Sequence, residues 1–355
     1  MKKPDIAYTR LRNQHISEST FEKPGDVVRW FGAVQGQDYL GALWAIGLRT
    51  KNANEESIEK AIADKTIIRT WPMRRTLHFV AAEDIRWILE LMIPRVIAAG
   101  VGRLRQFELD DKTFAQSKKL FVRALQGGKH LSRNAMYKVL EAGRISTGGQ
   151  RGLHILSQLA QEGFICFGAR DGKQQTFALL DEWVPAAKKM ERDEALAELA
   201  RRYFTSHGPA TLQDFVWWSG LTVGEAKAGL EMAKSHLVQE PIEGKTYWLA
   251  SSIYRAKWSP TTAYLLPFYD EYTVAYKDRS AALDPLYAKE AGNGIFSPPI
   301  VINGQIAGTW NRALKKDKVV ITPNLFVSLS KAETRALATA ATRYGEFLNA
   351  PVVLA

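Results

Sequence analysis

The chain has 355 residues, 46% hydrophobic and 24% charged, with ten tryptophans and no low-complexity stretch, which excludes a disordered polypeptide and calls for roughly two to four domains. A formal charge of +11 suits a polyanionic partner, because lysines and arginines that neutralise phosphates release condensed counterions. One cysteine excludes an internal disulfide, and six scattered histidines with no His-x-x-x-His pair argue against a metal centre. The sequence after Met1 has no apolar leader and no run reaches the ~18 apolar residues of a membrane span, which together predict a cytoplasmic protein.

The predicted fold class is α+β: three tandem winged-helix units, each a helix-turn-helix plus wing, followed by a β-rich C-terminal domain. A winged helix must switch from helical to strand periodicity within one short segment, and the sequence does so repeatedly. In the first unit, residues 5–100, Pro24, Gly25 and Asp26 start a helix carrying Val27, Phe31 and Val34, and residues 55–63 give another with Ile58 and Ile62. Residues 67–80 then read as a hairpin whose core-facing positions alternate with Arg69, Arg74 and Arg75. Those guanidinium groups sit either on a wing beside DNA or on a solvated strand face.

The second unit, residues 112–185, is the clearest. Ser132 caps a helix with Ala135, Met136, Val139 and Leu140 that ends at Gly143, and Leu153, Leu156 and Leu159 mark the next helix, closed by Gly163. An apolar strand follows in which Cys166 is a small buried hydrophobe, then an Asp171-Gly172 turn and a return strand. The third unit, residues 192–250, repeats the pattern: Thr211 caps a helix ended by Gly220, Thr222 caps a helix with Val223, Ala226 and Leu230, and Glu243-Gly244 turns a hairpin. From 251 to 355 apolar strands joined by Asn303-Gly304 predict a β-rich domain, closed by a helix with Leu337, Ala341, Tyr344 and Leu348 on one face.

Chemistry points to Gln35-Gly36-Gln37, which interrupts a helical pattern at a glycine. In extended backbone, side chains two apart point the same way, so both carboxamides are expected to open into one cleft and hold a water between them. Carboxamides are poor bases, so such a pair suits a reaction whose leaving group is already activated.

Four ordered blocks carry a family resemblance: VQGQDYLGALWAIGLR over 34–49, RTWPMRRTLHFV over 69–80, LLPFYDEY over 265–272 with Lys277, Asp278 and Arg279, and GQIAGTW over 304–310. Together they resemble the AlkZ/YcaQ superfamily of winged-helix DNA glycosylases and span nearly the whole chain. The resemblance implies a monomer that acts without cofactor or metal on double-stranded DNA with damaged bases. It further implies hydrolysis of N-glycosidic bonds of alkylated (N7-substituted) purines, with interstrand crosslinks among the substrates. It places catalysis on Gln35 and Gln37; some relatives have Asp at the second position, whereas here Gln37 is followed by Asp38. Asp38, His78 and Asp270 are accessory candidates, and Arg69, Arg74, Arg75 and Arg279 are candidates for DNA contact. Trp71, Trp217 and Trp218 either stack on a base or fill the core. Two rival readings are a non-catalytic winged-helix DNA-binding regulator and a protein for structured RNA.

Overall fold

The computed structural model describes residues 3–184, 188–251, 261–294 and 297–355. The predicted boundary at residue 185 and the opening of the C-terminal domain at 252–260 lie outside them. The chain is mixed α+β and divides into two compact units, residues 1–58 with 196–355, and residues 59–195.

The first unit opens with α1 (Lys3–Asn13), α2 (Pro24–Phe31), β1 (Val34–Gln35) and α3 (Tyr39–Gly47). Pro24 begins α2 where a missing N–H costs nothing, and Gly32 ends it at φ 80°, a left-handed conformation that glycine adopts without strain. The next helix, α4 (Glu55–Ala63), leads into the second unit.

There, β2 (Ile67–Met73) and β3 (Thr76–Ala81) form an antiparallel hairpin with Ile67 opposite Ala81 and Thr70 opposite His78. The long α5 (Ile85–Gln106) follows, then α6 (Asp111–Leu125), β4 (Leu131–Ser132), α7 (Arg133–Ala142), α8 (Arg151–Gln161), β5 (Ile165–Phe167), β6 (Thr176–Leu179) and the short α9 (Leu180–Trp183). These strands form one sheet in the order β4-β6-β5, both pairings antiparallel. Ser132 accepts a hydrogen bond from the Ala135 N–H and Gly143 caps the end of α7, as the sequence predicts. One core joins Phe121, Leu140, Leu156, Ile165 and Phe177 with Trp71, so that tryptophan is a core residue here. Cys166 is buried, and burial raises its thiol pKa far above the usual range, so native protein is expected to resist thiol reagents that modify it after unfolding.

α10 (Arg192–Ser206) returns the chain to the first unit, which continues with α11 (Leu212–Ser219), α12 (Val223–Ala233) and the hairpin β7 (Leu237–Ile242) with β8 (Lys245–Ala250). Thr211 with Asp214, and Thr222 with Glu225, form reciprocal capping boxes. β9 (Ala263–Leu265), the short α13 (Glu271–Val274), β10 (Pro299–Ile302), β11 (Gln305–Leu314), β12 (Val319–Leu325), α14 (Lys331–Phe347) and β13 (Val352–Leu354) complete it. Their five-stranded sheet runs β13-β12-β11-β10-β9, antiparallel except for β12 with β13. Trp44 and Trp310 each pack edge-on to Tyr344, 5.1 Å between ring centres, which fixes α3 and β11 on α14.

His15, His130, His154 and His207 all titrate below the ordinary value of 6.5 because burial disfavours the cation, His15 at about 4. Between those values the unfolded chain binds protons that the folded one refuses. The His15 contribution to stability is therefore present above about pH 6.5 and is lost as the pH falls towards 4. Urea unfolding at neutral and acidic pH measures this, and His15→Gln is expected to flatten the decline; an unchanged decline would remove His15 from the account.

Candidate active site

The Gln35 to Asp38 segment is the joint between α2 and α3. Gln35 lies in β1, Asp38 is the extended N-cap of α3, and the chain between them is non-helical. The backbone N–H of Gln35 donates to Glu271 Oε1 at 2.8 Å, and the Gln35 side-chain oxygen accepts the Gln37 N–H at 2.7 Å. Gln35 is thus 9% exposed and folded onto its own chain, while Gln37 is exposed. The expected side-by-side pair of loosely packed carboxamides becomes a buried brace, Gln35, followed two residues on by the exposed Gln37. The reason is local: the Gln35 carbonyl oxygen satisfies an N–H that helix α3 starts too late to use.

Glu271 stands beside Asp270 in the 265–272 block, and nothing in the sequence shows that it anchors Gln35. Its second oxygen accepts the Trp218 indole N–H at 2.9 Å and faces His207 Nε2 at 3.2 Å, all of them buried. His207 Nδ1 lies 2.8 Å from Ser206 Oγ, and Tyr203 stacks on the ring at 4.7 Å. A carboxylate committed on both oxygens in a dry surrounding is a rigid anchor, and it holds the backbone of Gln35.

Asp270 is also spent on structure. It makes a bidentate ion pair with Arg49, 2.8 and 2.9 Å, and accepts the Tyr272 N–H at 2.9 Å. Arg49 is further held by the Gln14 and Ala45 carbonyls. Asp270, an accessory candidate in the sequence, is buried with both carboxylate oxygens occupied by Arg49 and the Tyr272 N–H. Arg279 donates to the Thr273 carbonyl at 2.9 Å and lies 5.5 Å from the Trp217 ring centre; burial lowers its pKa. Trp218 is core, whereas Trp217 is 42% exposed with its N–H on the Val274 carbonyl.

The remaining candidates lie in the second unit. All seven β2 positions are buried, so the predicted alternation fails there: Arg69 bonds Gln175 at 3.2 Å and lies 4.9 Å from the Phe167 ring centre. His78 is also buried, with Nδ1 3.0 Å from the Thr76 carbonyl and Nε2 3.2 Å from Arg74, an arrangement that makes it a support for the hairpin. Arg74 and Arg75 occupy the turn itself, both left-handed at φ 49° and 58°. Such a turn ordinarily takes Asn-Gly, as the β10–β11 hairpin does with Asn303 and Gly304. Two arginines in this left-handed backbone are strained. Replacing Arg75 with Gly, which leaves the Arg74–His78 contact in place, is expected to stabilise the protein by about 1 kcal/mol while weakening duplex binding. A variant that loses stability and keeps its affinity would contradict this.

Comparison with known proteins bears on the whole chain. A family model described as DNA glycosylase AlkZ-like matches residues 28–347. The chain belongs to the AlkZ-like DNA glycosylase family. This AlkZ-like chain is 26% identical over 340 residues to the interstrand DNA cross-link repair glycosylase of Streptomyces sahachiroi, with 88% of each chain covered. Its fold matches the solved structure of the Streptomyces sahachiroi DNA glycosylase AlkZ over 100% of both chains, with a TM-score of 0.81 at 22% identity. The matched region holds every candidate named above, so the AlkZ-like chain presents the Gln35 and Gln37 segment within its family region. Among the described residues, no helix is long and apolar enough to cross a membrane and no group of three or more potential metal ligands comes together.

Proposed function

We propose that this chain is a monomeric, cytoplasmic DNA glycosylase that hydrolyses the C1′–N9 bond of N7-alkylated purines in duplex DNA, interstrand crosslinks included. The observation that carries the reading is the exposed Gln37 carboxamide on a short non-helical segment whose preceding strand is pinned by a buried carboxylate. N7-alkylation makes the purine a cation and hence a good leaving group. As the C1′–N9 bond lengthens, the sugar gains oxocarbenium character and the base leaves with the bonding electron pair, becoming neutral. Water then adds its oxygen to C1′ and gives its proton to solvent. Gln37 orients that water through its carbonyl oxygen, and Gln35 holds Gln37 in place.

Three winged helices are the proposed scaffold. Support comes from the order of elements: helices followed by a hairpin at β2–β3, at β5–β6 and at β7–β8. The crosslink reading leans on the name of the Streptomyces relative. The net charge of +11 supplies the electrostatic grip, and duplex affinity is expected to fall linearly with the logarithm of salt concentration. A salt-independent affinity would contradict a phosphate-binding surface. The function is tested with a duplex crosslinked through guanine N7: incubation is expected to return separated single strands on a denaturing gel. A crosslink that stays intact while the protein stays bound supports a non-catalytic DNA-binding regulator instead.

A further inference from the structure

Asp38, the residue after Gln37, lines a cavity of about 170 Å³ in the first unit together with Trp44, Phe268, Trp310, Asn311 and Arg312. We propose that it is the pocket for the extruded base, and that Asp38 makes it selective for N7-alkylguanine. This inference rests on the glycosylase reading above.

The walls are aromatic and already satisfied. The Trp44 indole N–H donates to the Leu265 carbonyl at 2.7 Å and the Trp310 N–H to the Leu266 carbonyl at 2.8 Å. Both rings are buried against Tyr344, so they close the back of the cavity and present no donor to it. Phe268 is 37% exposed at the rim, where a flat ligand can cover it. The polar groups gather elsewhere on the lining. Asp38 folds its carboxylate over Gly41, where a side chain of any size would collide with it, and Pro267 closes the same side. Arg312 sits 5.5 Å from the Tyr344 ring centre and faces the Asp38 charge.

This lining fits one purine. A guanine presents two donors, N1–H and the N2 amine, to a carboxylate, and O6 to a guanidinium; an adenine has no donor at N1. N7-alkylation adds a positive charge over the ring, which favours Asp38 and the exposed Phe268 ring. The charge disappears when the base leaves, so Asp38 holds the substrate more tightly than the product. It therefore serves selection and product release, and its removal raises KM with little loss of kcat.

The test is calorimetric titration of the full chain with three free bases in mildly acidic buffer: the 7,9-dimethylguaninium cation, neutral 9-methylguanine, and the 7,9-dimethyladeninium cation. The guaninium is expected to bind about ten-fold tighter than 9-methylguanine, the equivalent of about 1.4 kcal/mol, with the adeninium between them. Asp38→Asn is expected to bring the first two within about two-fold of each other, and Phe268→Ala to weaken all three. Equal affinities in the wild type, no binding, or an unchanged order in Asp38→Asn overturns the proposal. Because no turnover is needed, the two readings separate. Ordered binding without excision from alkylated duplex contradicts the function alone, and excision without ordered binding contradicts the pocket alone.

Discussion

Replacing Gln37 by alanine is expected to slow single-turnover excision of N7-methylguanine about 10²–10³-fold, the usual consequence of losing one preorganised polar group at a reacting centre. Gln37 is exposed, so stability and duplex affinity should stay near wild type. Gln35→Ala is expected to slow excision as well and to cost about 1 kcal/mol of stability, because the Gln37 N–H loses its 2.7 Å acceptor. Gln37→Asp and Gln37→Glu keep part of the activity, since a carboxylate orients water and also accepts its proton. Glu271→Gln leaves an acceptor for the Gln35 N–H and is expected to be milder than Glu271→Ala, which frees the strand. A Gln37→Ala variant with the wild-type single-turnover rate would move the chemistry away from this segment.

The largest loss of stability is expected at Asp270. Its carboxylate and the Arg49 guanidinium are both out of water, 0% and 2% exposed as side chains. Asp270→Ala leaves a buried, uncompensated cation and is expected to cost about 3–5 kcal/mol. The Asp270→Leu, Arg49→Met pair removes both charges and is expected to recover most of that loss. Chemical denaturation of wild type, the single variant and the double variant decides the matter. A single variant as stable as wild type, or a double variant no better than the single, would show that the ion pair is not what holds this joint.

Much of the fold was legible wherever local chemistry is strong. The caps at Ser132, Thr211 and Thr222 and the turn at Asn303 and Gly304 stand where the sequence puts them. Helix α3 was illegible as an amphipathic element because seven of its nine residues are buried, which leaves no polar face to set a period. Arg69 misled for the opposite reason: alternation assumes one solvated face, and β2 has none. The segment around Gln35 was legible from its glycine and the block resemblance. Its anchor was not, since Glu271 lies 236 residues away in sequence and its partners His207 and Trp218 carry no local signal. Arg74 and Arg75 were visible as basic residues, but their left-handed turn was not, because the sequence lacks the Asn-Gly that would mark it.

The most direct test of the central claim is to incubate the purified protein with a duplex bearing a single N7-methylguanine and to follow both products, the free base by mass spectrometry and the abasic site by alkaline strand cleavage. Wild type is expected to release one 7-methylguanine for each alkali-labile site, with the rate falling about 10²–10³-fold in the Gln35→Ala, Gln37→Ala variant. Tight binding to the same duplex with no released base from the wild type would contradict the account.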